Sequence, residues 1–216
     1  TPLLPAGVGP IEAYRRQPQA HGGEHYVALL FADIRGFTSI SEGKLPYDVV
    51  FLLNRYFRAT GQAIEAAGGR LDKFIGDGVM AIFGLNSDPK TACRQALEAA
   101  RRMALALDDL NEALSGDLDL PLRIGIGLHA GPAIVGEMGY ERAAQITAIG
   151  HTVNTASRLE ALTKEFAVEL VVSQELLDRA EVDLGDAPRH EVDIRGRQGR
   201  LAVRAIGRAT DLTAMS

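Results

Sequence analysis

A chain of 216 residues, 46% hydrophobic and 24% charged, is long enough to bury a sizeable core and has the balance of an ordinary globular domain. Its formal net charge of −5 offers no basic surplus for nucleic acid, so no nucleic-acid partner is expected. The single cysteine, Cys93, excludes an internal disulfide and a cysteine-based zinc cluster. No apolar run approaches the roughly 18 residues of a membrane helix, and no basic segment followed by an apolar one opens the chain, so a reducing, cytoplasmic setting is expected. The start, Thr1-Pro-Leu-Leu-Pro-Ala-Gly7, lacks an initiator methionine and reads as a cut linker. An upstream regulatory region is therefore expected in a longer protein, and membrane attachment of that protein stays open.

Residues 1–24 are rich in Pro, Gly and polar side chains, as a linker or truncated N-terminal region would be. Tyr26–Ala32 is a short apolar run suited to a strand buried on both faces. From Pro46 to Ala67 the apolar positions follow helical spacing, and Gly68-Gly69 ends that helix by allowing a left-handed cap. Residues 70–75 and 78–84 read as a hairpin around Gly76-Asp77-Gly78. Asp88-Pro89 opens a long helix to about Leu114, with Asp88 at its cap and Cys93 as a small core residue. Leu122, Ile124, Ile126 and Leu128 alternate with Arg123, Gly125, Gly127 and His129 as a strand, which Gly131-Pro132 is expected to break. A short strand at Ala133–Val135, an irregular polar arm at 138–146, a helix at Thr152–Leu162 and a strand at 168–172 follow. Ser173 then caps a short helix, and 190–207 close in a hairpin around Gly196-Arg197-Gln198-Gly199. The order is that of a ferredoxin-like βαββαβ core with a C-terminal α/β extension, an α/β (α+β) fold. Expected boundaries are a domain over 25–208 and a tail over 209–216.

Two segments carry the chemistry: Phe31-Ala-Asp-Ile-Arg-Gly-Phe-Thr38 and Lys73-Phe-Ile-Gly-Asp-Gly-Val-Met80. Each sets one carboxylate, Asp33 or Asp77, where an apolar run ends in a glycine-containing turn. Two such carboxylates can hold divalent metal against a phosphate chain. Either alone is better explained as a turn aspartate. Together with Thr147-Ala-Ile-Gly-His-Thr-Val-Asn-Thr-Ala-Ser-Arg-Leu-Glu160, in this order and spacing, they resemble the class III nucleotidyl cyclase catalytic domain over roughly residues 26–207.

The resemblance implies two divalent cations, Mg2+ or Mn2+, bridging Asp33, Asp77 and a triphosphate, with the Ile34 carbonyl as a further ligand. Phe37 and Thr38 would offer backbone N–H groups to phosphate, and Arg142 would bind terminal phosphates. Arg195 and Arg197 lie near another basic phosphate position. Asn154 and Arg158, four apart on one helix face, match the family's transition-state pair: Asn154 orients the ribose and Arg158 stabilises charge on the α-phosphate. Lys73 and Thr147 match its base-binding positions. Adenine N1 accepts, which suits the lysine ammonium, whereas guanine N1–H would face donors with a donor. The substrate implied is ATP, the product 3′,5′-cyclic AMP and pyrophosphate. Threonine at 147 matches the class IIIb-like subgroup and brings bicarbonate responsiveness as a further expectation. Because a hydroxyl suits either base edge, Lys73 is left with most of the discrimination. His151, where the family more often has Asp or Asn, reads as a surface variant, and His129 as structural. The family's sites form between two chains, and this chain holds both halves, so a homodimer is implied. A guanylyl or mixed-specificity cyclase and a non-catalytic nucleotide-binding domain remain the alternatives. A nuclease or polymerase palm is disfavoured by the charge and by Asn154 and Arg158.

Overall fold

The computed structural model describes residues 23–139 and 145–215. Its central strand, β1 (Gly23–Ile34), starts three residues earlier than the apolar run and ends two later. Alternate residues serve two cores, as a strand buried on both faces requires. Ala28, Leu30, Ala32 and Ile34 join the larger core, while Val27 and Leu29 join a second one.

A short helix α1 (Phe37–Glu42) follows, then α2 (Pro46–Ala66), which stops where Gly68 takes φ +93°. The hairpin of β2 (Arg70–Ile75) and β3 (Gly78–Phe83) comes next, and α3 (Pro89–Ala113) after it, with Asp88 at the N-cap position and Pro89 in the first turn. The fourth strand, β4 (Ile124–Met138), pairs antiparallel with β1, which also pairs antiparallel with β3. The order β2-β3-β1-β4, with α2 and α3 packed together against one face, is the ferredoxin-like arrangement. Met80 and Phe83 are buried in these cores, and so is Cys93, as expected.

Beyond β4 come β5 (Gln145–Ile149), α4 (His151–Phe166), β6 (Leu170–Ser173), α5 (Gln174–Ala180), β7 (Arg189–Asp193) and β8 (Arg200–Ile206). Among the described residues the sheet has eight strands, β6 lying parallel to β4 with α4 as the crossover, and β7–β8 closing its far edge as a hairpin. Ser173 caps α5, its hydroxyl accepting from the Leu176 N–H at 3.2 Å. α4 covers the second face of the sheet, which the first two long helices leave bare.

Two expectations are corrected. Gly131-Pro132 does not break β4, which runs through both residues. The Pro132 carbonyl accepts from the Thr152 hydroxyl at 2.6 Å, and a strand residue directs its N–H and C=O to the same edge. The donor that proline lacks therefore falls on the edge facing α4, not on the ladder to β1. The two ends of the arm expected at 138–146 are also strand, since β4 reaches Met138 and Gln145–Ile149 pairs back onto it, while 140–144 lie outside the described residues.

Candidate active site

The tip of the β2–β3 hairpin is tied to the end of β1. Gly76, at φ +60°, lets the chain reverse within two residues, and Asp77 Oδ2 accepts from the Ile34 N–H at 3.0 Å. Ile34 thus serves first as the donor that positions Asp77. Asp33, one residue earlier on β1, is half-buried, and its Oδ1 is buried without a hydrogen-bond partner. A buried acceptor left unpaired is costly, and a carboxylate oxygen in that state suits a hard cation. Among the described residues no group of three or more His, Cys, Asp or Glu side chains forms a metal cage. Two carboxylates and a carbonyl, completed by phosphate oxygens and water, would nevertheless satisfy an ion such as Mg2+.

A third carboxyl, which the sequence reading left without a role, belongs to this corner. Glu160 on α4 reaches Asp33; burial first, and then its contact with Asp33, pushes its carboxyl up to about 8. Two glycines in β4 permit the approach: a Cβ on Gly127 would land on the Glu160 backbone nitrogen, and one on Gly125 would meet the Thr163 hydroxyl and the Glu160 carboxyl. The buried Tyr56 hydroxyl on α2 faces the same corner without a partner. Burial, then Asp33, Asp77 and Glu160, hold it protonated well above the usual phenol range.

The positions expected to bind the base form a second cluster. Thr147 on β5 donates its hydroxyl to Asp72 Oδ2 at 2.6 Å, and the Lys73 ammonium stands 3.8 Å from the same oxygen. Asp72 sits at a register shift between Leu71 and Lys73, a bulge in β2. Strict alternation would set Asp72 and Lys73 on opposite faces, so the sequence pattern conceals this contact.

Asn154 and Arg158 lie on the exposed side of α4, where the Arg158 guanidinium touches Glu165 at 3.4 Å. The opposite side of that helix packs on the sheet through Val153, Ala156 and Glu160. Arg158 and Glu160 are about 200° apart around the axis. One chain therefore turns the Asn154–Arg158 pair away from its own Asp33. Phe37 packs against the core and Thr38 is exposed at the start of α1. Arg142 lies outside the described residues. Arg197 is ion-paired with Glu175, and His151 is exposed. His129 is buried with Nδ1 2.7 Å from the Ser173 hydroxyl, a structural placement as expected.

A sequence profile of the adenylate and guanylate cyclase catalytic domain matches residues 20–205, which includes every one of these positions. The chain belongs to that family. An adenylate cyclase of Anabaena cylindrica is 41% identical over 155 residues, 70% of this chain and 30% of that protein. The terminal-differentiation-specific adenylate cyclase of Dictyostelium discoideum is 40% identical over 148 residues, 68% of this chain and 7% of that protein. The chain thus spans a third or less of the length of these two relatives. Among solved structures, the guanylyl cyclase Cya2 superposes with a TM-score of 0.79 at 29% identity, covering 91% of this chain and 98% of that one. The adenylyl cyclase CyaB from P. aeruginosa gives 0.76 at 28% identity, covering 88% and 98%. Two cyclases named for different bases share this fold, so base choice within the family must be argued from side chains. Among the described residues no helix is long and apolar enough to cross a membrane.

Proposed function

We propose that this cyclase domain is an adenylate cyclase, converting ATP to 3′,5′-cyclic AMP and pyrophosphate at sites shared between two copies of the chain. The observation that carries the reading is the division of labour around α4. Its inner side delivers Glu160 to Asp33, while its outer side presents Asn154 and Arg158 to whatever docks there. A second copy related by twofold symmetry would bring its own Asp33 and Asp77 to that outer side.

In this reading Asp33, Asp77 and the Ile34 carbonyl would hold two divalent cations, Mg2+ or Mn2+. Asp33 is suited by its unpartnered buried oxygen, and Asp77 by the Ile34 N–H that fixes its other edge. Bound there, such ions lower the pKa of the ribose 3′-hydroxyl and offset charge on the triphosphate. The N–H groups of Phe37 and Thr38 and the guanidinium of Arg142 bind phosphate oxygens. Asn154 of one chain orients the ribose, and Arg158 stabilises the charge that grows on the α-phosphate during in-line attack. Lys73 donates to adenine N1 and Thr147 accepts from the adenine amino group. The partners are therefore ATP and a second copy of the chain, with an upstream regulatory region in the full-length protein.

The direct test is cyclic nucleotide production from ATP and from GTP, each in Mg2+ and in Mn2+. The reading predicts cyclic AMP in clear excess. Cyclic GTP-derived product in excess favours the guanylyl reading, and no product from folded dimer favours a non-catalytic domain. Bicarbonate responsiveness is tested by adding it at constant pH and ionic strength; an unchanged rate removes it.

A further inference from the structure

We infer that Asp72 is the residue that makes this site specific for adenine, by fixing the direction of the Thr147 hydroxyl; the inference rests on the proposal that ATP is the substrate. A free threonine hydroxyl has one proton to give and lone pairs that accept, so it can pair with an adenine amino group or with guanine O6. Here the proton is committed. Thr147 donates it to Asp72 Oδ2 at 2.6 Å, within a buried pair. The Asp72 side chain is only 1% exposed and, as a carboxylate, only accepts. What Thr147 has left to offer a base is lone pairs. An amino group on the purine C6 position is then matched, and a C6 carbonyl meets an acceptor with no way to reverse it.

The backbone supports the assignment. The bulge between Leu71 and Lys73 brings Asp72 round to the same side as Lys73, whose ammonium stands 3.8 Å from the same carboxylate oxygen. One buried carboxylate thus fixes Thr147 as an acceptor beside Lys73, whose ammonium is a donor in any orientation. That pattern complements the adenine edge, where N1 accepts and the amino group donates, and it clashes with guanine, where both roles are reversed. Asp72 has no need to touch the nucleotide. It is a positioning residue, and a neighbour of a residue type that alone would be ambivalent.

The test is the ratio of kcat/KM for ATP to that for GTP in wild type, Asp72→Leu and Asp72→Asn, measured in Mn2+. Leucine keeps the branched shape and removes the acceptor, while asparagine keeps one oxygen. The ratio is expected to fall about tenfold in Asp72→Leu and by less in Asp72→Asn, the size of one lost hydrogen-bond preference. In a Thr147→Val background, Asp72→Leu is expected to move the ratio less than about twofold, because the hydroxyl it directs is gone. ATP and GTP rates falling together, with the ratio unchanged, would overturn the inference and leave Asp72 a packing residue. A full-sized drop that persists without the Thr147 hydroxyl would also overturn it, placing the effect on Lys73 instead. Should Asp72→Leu not fold, the near-isosteric Asp72→Asn carries the same comparison. A wild-type preference for GTP would instead contradict the ATP proposal itself, which the wild-type ratio reads separately from the variants.

Discussion

Asp33 and Asp77 reach one corner by different routes, one from a central strand and one from a hairpin tip, and a single backbone bond from Ile34 registers the tip against the strand. Replacing either carboxylate by alanine should abolish cyclase turnover while leaving the domain folded, as far-ultraviolet circular dichroism and the dimer mass would show. Arg158→Ala should lower kcat by about 100-fold or more, the scale for losing one preorganised donor to transition-state charge. Tyr56 makes the opposite prediction. Its buried hydroxyl has no hydrogen-bond partner among the described residues, so Tyr56→Phe should leave the unfolding free energy unchanged or raise it by about 1 kcal/mol. His129 gives a pH dependence. Burial first, with Glu175 and Arg197 nearby acting in opposite directions, lowers its imidazole from 6.5 to about 4. The unfolded chain therefore binds a proton that the folded chain refuses across that window. The stability this residue contributes is present above about 6.5 and is lost as the pH falls towards 4, by about 2–3 kcal/mol. Denaturant titrations of wild type and His129→Gln should show a slope between those pH values that is shallower in the variant.

At the scale of elements, α4 decides the site, because it must lie close against β4 on one side and stay open on the other. The closeness depends on Gly125 and Gly127. Alanine at 127 would meet helix backbone, not a flexible side-chain end, and should cost about 1–3 kcal/mol and reduce activity by displacing Glu160 and Asn154 together. Gly116→Ala, in open space, should stay within about 0.5 kcal/mol in the same denaturation assay. These elements also show what was legible in the sequence. Alternation along β4, helical spacing along α2 and the glycines around Asp77 are local signals, and they located the core order and the paired aspartates. Pro132 misled because the edge on which its missing donor falls is set by Thr152, twenty residues away in the chain. Asp72 and Glu160 were hidden for a related reason. One is turned inward by a bulge that a period-2 pattern does not register, and the other is brought to Asp33 by glycines whose purpose appears only once the helix is packed on them.

For the whole molecule, the proposed reading gives the chain two half-sites that face apart. Asp33 meets Glu160 on the inner side of α4, while Asn154 and Arg158 lie on its exposed side, so in the proposed reading a single copy does not close both halves on one substrate. Activity in this reading requires assembly, and mixing two inactive variants tests that most directly. Asp77→Ala and Arg158→Ala should each be nearly inactive as separate homodimers. After exchange, about half the dimers pair one variant with the other, and in each of these one of two sites keeps both Asp77 and Arg158. The predicted result is recovery of about a quarter of wild-type cyclic AMP production. No recovery, with exchange verified by mass spectrometry of differently tagged chains, would contradict a site shared between two chains.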